Sequence, residues 1–471
     1  MRLLGSTLSF SRSVSSRSVS LAVSLALGAG CAGHARPSIT LYEKGDYAGA
    51  ARAAEEGLAR HPDEDALWGM RIRAALALGD GPAIATAYRA YVERRHEDDV
   101  ELLRDVAVAT LRQALASPSA RLQIVAIGAV QDAELHGLAD DVAERMGSDD
   151  DRVAAAAAVA VLRGYPQAPQ VASDMLRSED PEARRIAVEG IARKIGDQAA
   201  DDLQRAAIDT DARVRRIAIR YLGELKVRAA VPMLTRRLRD PDEAVRATTV
   251  TALGRIGQGD LAQVATAALA DRALAVRLAG LALLVELKQT AALTRLAEAD
   301  PEPLVAAEAA LAVARPELAA RALDAALASE QWTHRAGAVH LSRRVLGPVK
   351  AFELARRLAE DPEVGVRLAA ARVLAAGGDR AAAWTIFAHA LTSPAHALQA
   401  ATELALQGDP RGLAALDAAV VDAAHPAEDR AAAVAAHRSA RRITPGLVAA
   451  LADPSGLVRV EAAAVLVVLA R

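Results

Sequence analysis

From residue 117 onward, apolar residues recur at three- and four-residue intervals in short stretches, many of them opened by Asp or Ser. Val245, Ala247, Val250, Leu253 and Ile256 form one such stretch, and that spacing lays them along one face of a helix. Gly254 and Gly257 then break it, and a second helix is expected over residues 261–269. The pattern returns at a fixed interval. Asp209, Asp240 and Asp271 stand 31 residues apart, and each is followed six residues later by arginine, at Arg215, Arg246 and Arg277. Asp361/Arg367 and Asp453/Arg459 repeat the pairing, and weaker copies start at Ser117, Asp149, Asp180, Asp300, Ser329, Ser393 and near Ala424. These are twelve starts, 29 to 32 residues apart, with the last unit incomplete. A period of this length with two short helices per unit predicts an all-α chain, an α-solenoid of stacked antiparallel hairpins over residues 117–471. Asp-Pro or Ser-Pro opens many units, as at Asp240-Pro241 and Ser393-Pro394. The acceptor caps the first helix and proline suits its first turn.

Between residues 39 and 116 the helical pattern continues with a different spacing. Gly45-Asp46-Tyr47, Ala50, Ala54, Gly57-Leu58 and Pro62, then Trp68, Leu76, Gly79 and Tyr88, resemble tetratricopeptide repeats. The small residues three or four apart share a face that a neighbouring helix can approach closely. Peptide-clamping members of that family use asparagine and lysine. This segment has no asparagine and only Lys44, so it reads as a helical cap for the array.

The repeats themselves resemble HEAT repeats of the phycobilisome-lyase-like subtype. The resemblance rests on Asp240-Pro241-Asp242-Glu243-Ala244-Val245-Arg246 through Ala252-Leu253-Gly254-Arg255-Ile256-Gly257, and on Ala230-Val231-Pro232-Met233-Leu234. It implies a right-handed superhelical scaffold in which the aspartates and arginines of neighbouring repeats pair in a ladder. If those pairs are exposed, each adds only about 0.2–1 kcal/mol. The absence of asparagine from the chain argues against armadillo repeats, which carry an asparagine ladder.

Composition narrows function. The 471 residues carry 57 basic and 59 acidic side chains, a net charge of −2, which excludes a general electrostatic case for nucleic acid. With a single cysteine, no internal disulfide and no multi-cysteine metal site can form. Phosphate-binding, zinc-protease and nucleophile-elbow motifs do not occur. The iron-binding HEAT-like hydroxylases use repeated His-Glu pairs. His96-Glu97 is the one such pair here, and it lies outside the array. His334/His340 and His389/His396 are the nearest local histidine pairs, and a zinc site would need a third ligand from another repeat. Asp149-Asp150-Asp151 sits at a repeat start, where helix capping explains it. No catalytic, cofactor-binding or metal residue is therefore expected, and the reading is a non-enzymatic scaffold for an unidentified protein partner. The alternative is a lyase-like or metal-dependent enzyme, or an accessory to one, acting on an envelope substrate.

The N-terminus addresses location. Residues 1–40 hold no acid, Arg2, Arg12 and Arg17 lie in a serine-rich stretch, and residues 21–27 form a short apolar run. That run is too short to span a bilayer and suits a signal-peptide core. Gly28-Ala29-Gly30-Cys31-Ala32 follows and resembles a bacterial lipobox. The resemblance implies a signal peptide over residues 1–30, lipidation of Cys31 and a tether over residues 31–38. It also implies a membrane-anchored envelope protein, with Ala32 directing it to the outer membrane facing the periplasm. A cleaved secretory signal or a mitochondrial transit peptide fits the same composition.

At the other end, Val465-Leu466-Val467-Val468-Leu469 point all round the last helix, which a single preceding hairpin cannot cover. An open arc of repeats leaves that patch free, for self-association or for docking of a partner at the C-terminal helix, and the alternative is that the helix tucks into a groove of its own array.

Overall fold

The computed structural model describes residues 33–78, 81–95 and 99–470. Cys31 and His96-Glu97 lie outside the described residues. The chain divides into two compact units, residues 1–71 and 72–471.

In the first unit, the helices Arg36–Glu43 and Tyr47–Arg60 pack on each other. Asp46 caps the second of them, accepting from the Gly49 amide at 2.8 Å. Ala50, Ala54 and Leu58 are buried at four-residue spacing. Gly57 admits Leu67, whose methyl lies 2.6 Å from where a Cβ would stand. The helix stops before Pro62, and the Trp68 indole donates to the Pro62 carbonyl at 2.8 Å.

The second unit is all helical among its described residues. A helix α1 (Val100–Leu115) precedes the first helices of eleven successive hairpins and of a last, incomplete repeat. These are α2 (Ala120–Asp132), α3 (Asp151–Ala160), α4 (Pro181–Ile195), α5 (Ala212–Glu224), α6 (Glu243–Ile256), α7 (Leu274–Glu286) and α8 (Pro303–Ala312). They continue with α9 (Trp332–Leu358, broken at Gly347 into both helices of its hairpin), α10 (Val364–Ala376), α11 (Ala397–Leu406), α12 (Ala427–Ala440) and α13 (Gly456–Leu469). Their facing sides are built from valine, leucine and much alanine, which lets neighbouring helices lie close. The fold is an α-solenoid.

Each first helix packs on the next, most sparsely at α10 and α11, which share an apolar cluster with Phe387 of the helix Arg380–Ala390 between them. Successive second helices meet at few places. The side on which neighbours pack more closely is the inside of a curve, so the first helices form the inner wall. The array also closes, because α13 packs on α2 as well as on α12, and its other side is covered by α1. The open arc expected from the repeats is thus replaced by a ring within this unit. Val465, Leu466 and Val467 are 0% exposed, so the apolar run at the C-terminus is a seam inside the chain and offers no free patch. Twelve helices about 8–10 Å apart set a wall about 30–40 Å across between opposite axes.

Candidate interaction surface

The loops that open the repeats fix the inner wall. In the central repeats the first aspartate folds the loop and the one two residues later caps the helix. Asp240 accepts from the Asp242 amide at 3.1 Å, and Asp242 accepts from the Val245 amide at 2.9 Å. Serine does the same work in the third repeat, where Ser178 Oγ accepts from the Asp180 amide at 3.0 Å and Asp180 caps α4. Ser178, two residues before the expected start at Asp180, is therefore the equivalent of Asp209 and Asp240.

An arginine six residues into each of these loops ties one repeat to the next. Arg215 donates to the carbonyls of Asp209 and Thr210 in its own loop at 2.9 and 3.0 Å. Its other nitrogens reach Asp240 of the following loop at 2.9 and 2.7 Å. Arg246 repeats this with Asp240, Pro241 and Asp271, and Arg277 pairs with Asp300. Arg184–Asp209, Arg335–Asp361 and Arg430–Asp453 extend the ladder. Arg367 and Arg459 bind only the carbonyls of their own loops, Asp361 and Pro362 or Asp453 and Pro454. The loop after Arg367 opens with Ser393 and offers no carboxylate.

The ladder is buried, against the exposed pairing weighed from sequence. The Arg215 and Asp240 side chains are 8% and 0% exposed. Burial pushes the Asp240 carboxyl up. Hydrogen bonds from Arg215 and the Asp242 amide, with the charges of Arg215 and Arg237, outweigh it and leave the carboxyl below the usual range. Burial is likewise overcome at Asp209 and Asp361 by Arg184 and Arg335, and at Asp271 the bond from Arg246 dominates.

Joints without a ladder pair use other ties. His334 lies 3.3 Å from Glu302 between the seventh and eighth repeats. Arg372 bridges to Glu403 at 2.6 Å between α10 and α11. His437, fully buried on α12, lies 3.0 Å from Asp417 of the helix Pro410–Val421. Of the histidines paired in the sequence, His334 thus meets Glu302 and His396 meets Ser393 at 3.1 Å. Asp150 caps α3, accepting from the Arg152 amide at 3.0 Å, and Asp151 meets the Ser178 hydroxyl. Among the described residues no three His, Cys, Asp or Glu side chains converge as a metal-ligand set. No described helix is long and apolar enough to cross a membrane.

Exposed residues of the first helices form a lane laced by ion pairs between neighbours, including Arg220–Glu189 at 3.6 Å, Arg255–Glu224 at 3.5 Å and Arg344–Glu308 at 2.7 Å. Across α2, α3 and α4 the lane sinks into an open groove of about 400 Å³. Its floor is apolar, from Ile124, Val125, Gly128, Ala156, Val159 and Ile186, and its rim carries Arg121, Arg152, Arg185, Glu182 and Gln131. The rim arginines are held by Glu428 at 3.0 Å, by Asp150 at 2.6 Å and by Glu182 at 2.6 Å.

Residues 169–247 match the HEAT repeats family. No curated protein matches the sequence. Among solved structures the chain is similar to the CpcE–CpcF complex of phycocyanin lyase from Nostoc sp. PCC7120, at 19% identity and a TM-score of 0.24, over 62% of this chain and 96% of that one. It is also similar to an engineered protein, at 18% identity and a TM-score of 0.26, over 79% of this chain and 95% of that one. Residues 169–247 are thus matched as HEAT repeats, within a chain folded as an all-helical solenoid.

Proposed function

We propose that this chain is a non-enzymatic scaffold of the bacterial envelope, anchored through lipidated Cys31 and holding an extended segment of a protein partner along its inner wall. The observation that carries the binding reading is the groove across α2, α3 and α4. It is open and shallow, with an apolar floor that runs over three helices and a rim of arginines already neutralised by carboxylates. Such a surface suits an extended chain with alternating apolar side chains better than a small molecule, which a deeper enclosed pocket would bury. The anchor rests on the apolar run, the small residues before Cys31 and the uniqueness of that cysteine. Two acyl chains on one residue give stable attachment. We place the protein on the periplasmic side of the outer membrane.

Two measurements test this. Cys31→Ser should move the protein from the membrane to the soluble fraction of its host, and unchanged retention in high salt rejects lipidation. A photo-crosslinking residue at Ala156, in the groove, should give adducts of discrete size in cells, while one at Ala262, exposed on the second helix Leu261–Leu269, should not. Equal yields from both positions reject the inner wall as the binding face.

A further inference from the structure

A ring that holds a continuous polypeptide has to admit it. We propose that the ring opens at the seam where α13 meets α1 and α2, with the joint between α10 and α11 as the hinge. The inference rests on the scaffold reading for its purpose, but its physical basis is independent of any partner.

The first support is topological. The polypeptide crosses every other joint, so breaking the contacts there leaves a covalent strap in place. The seam alone joins segments more than 300 residues apart and can part without cutting the chain. The second is the character of its polar contacts. Arg459, at the position of the ladder arginines, has only its own loop carbonyls. The ion pairs that span the seam are Arg121–Glu428 at 3.0 Å and Arg438–Asp132 at 3.2 Å. Their side chains are 45–62% exposed, against 8% and 0% for Arg215–Asp240. Exposed pairs are weak and are screened by salt, whereas buried ones are not. The third support is the hinge. Opening by rotation needs one joint that gives, and α10 and α11 are the most sparsely packed pair of successive first helices. Arg367 there binds its own loop carbonyls, and a partly buried Arg372–Glu403 pair is the bridge. The apolar face of α13 keeps the closed state dominant, since opening uncovers Val465, Leu466 and Val467.

The test uses the full chain without any partner, so its failure speaks to the gate alone and leaves the scaffold reading to the crosslinking experiment. With Cys31→Ser in place, Ser439→Cys and Glu134→Cys put two dyes on exposed positions on either side of the seam. Glu224→Cys and Arg255→Cys serve as a control across the chain-crossed joint between α5 and α6. Single-molecule energy transfer should show a dominant short distance and a minor long one for the seam pair. The long population should grow severalfold between 0.05 and about 1 M NaCl, where the screening length falls to about 3 Å. Arg121→Ala with Arg438→Ala should raise it at low salt, and Arg372→Ala should raise it through the hinge. The control pair should stay short throughout. A single short distance for the seam pair at every salt concentration, in the parent and in these variants alike, overturns the proposal. Equal lengthening of the control pair overturns it too, because that reports general loosening of the array.

Discussion

At the scale of single residues, stability is concentrated in the loops. The Arg215 guanidinium serves two backbone carbonyls and a buried carboxylate at once, so removing it leaves several acceptors without donors. Arg215→Ala should cost about 3 kcal/mol, the lower end for a broken buried pair, because Arg237 stays 3.3 Å from Asp240. Arg459→Ala, which loses no carboxylate, should cost about 1 kcal/mol in the same denaturant titration. Equal costs would mean that the carboxylate contributes nothing. The ladder also sets an acid limit. Asp209, Asp240, Asp271 and Asp361 are held below their ordinary value of 3.8, so their contribution is present above that pH and is lost as the pH falls through the folded values. How this was legible is instructive. Asp followed by Arg six residues later is visible within a repeat, yet the bond runs from one repeat's arginine to the next repeat's aspartate. Arg184, Arg335 and Arg430 escape the within-repeat pattern because their own loops open with Ser178, Ser329 and Ala424. Arg367 and Arg459 satisfy it and find no partner carboxylate. The period was legible in the sequence, but the burial of the pairs was not, because it depends on how closely two loops stack.

At the scale of the helix, close approach is the controlling variable. A Cβ on Gly223 of α5 would stand 2.7 Å from the Ala252 Cα of α6, and backbone cannot swing aside as a side chain can. Gly223→Ala gains helix propensity of about 1 kcal/mol but must separate two packed helices, and overpacking of this kind costs about 1–3 kcal/mol. The expected net result is a lower melting temperature, and a higher one would mean that α5 and α6 have room between them. The turn that ends the first helix supplies the opposite case. It places a residue at positive φ in most repeats, sometimes glycine, as at Gly257 with φ 72°, and sometimes not, as at Ala314 with φ 54°. Ala314→Gly removes the strain of alanine in that region, and its exposed methyl buries nothing, so a gain approaching 1 kcal/mol is expected. Helices and their period could be read from apolar spacing. This turn was only half visible, since Glu134, Lys226, Lys288, Ala314 and Arg441 adopt the same conformation without the glycine that announces it.

Closure of the second unit is a property of the sum of its repeats, and no local pattern carries it. A small rotation at each joint accumulates over twelve repeats, so whether α13 meets α2 depends on all of them together. Residues 465–469 announced an uncovered apolar helix. The sequence held no sign that α1 and α2 would cover it, since those residues lie more than 300 positions away. On the seam, Glu461 is a titrating group that reports on closure. Glu461 of α13 is partly buried; burial raises its carboxyl above the ordinary 4.5, and the charges of Arg438 and Arg121 only partly offset this. A raised carboxyl favours the folded form fully below the unfolded value and loses that advantage as pH rises through the folded value. At neutral pH the ionised group therefore opposes closure, with a sign opposite to that of the ladder aspartates. Glu461→Gln keeps the shape and removes the charge. Melting curves should show the variant more stable than the parent at pH 7, with the difference shrinking towards pH 4, where the parent carboxyl takes up a proton. In the dye-labelled protein the same change should reduce the long-distance population at pH 7. A variant less stable at pH 7 would show instead that the attraction of Arg121 and Arg438 outweighs burial, and that the ionised carboxylate holds the seam shut.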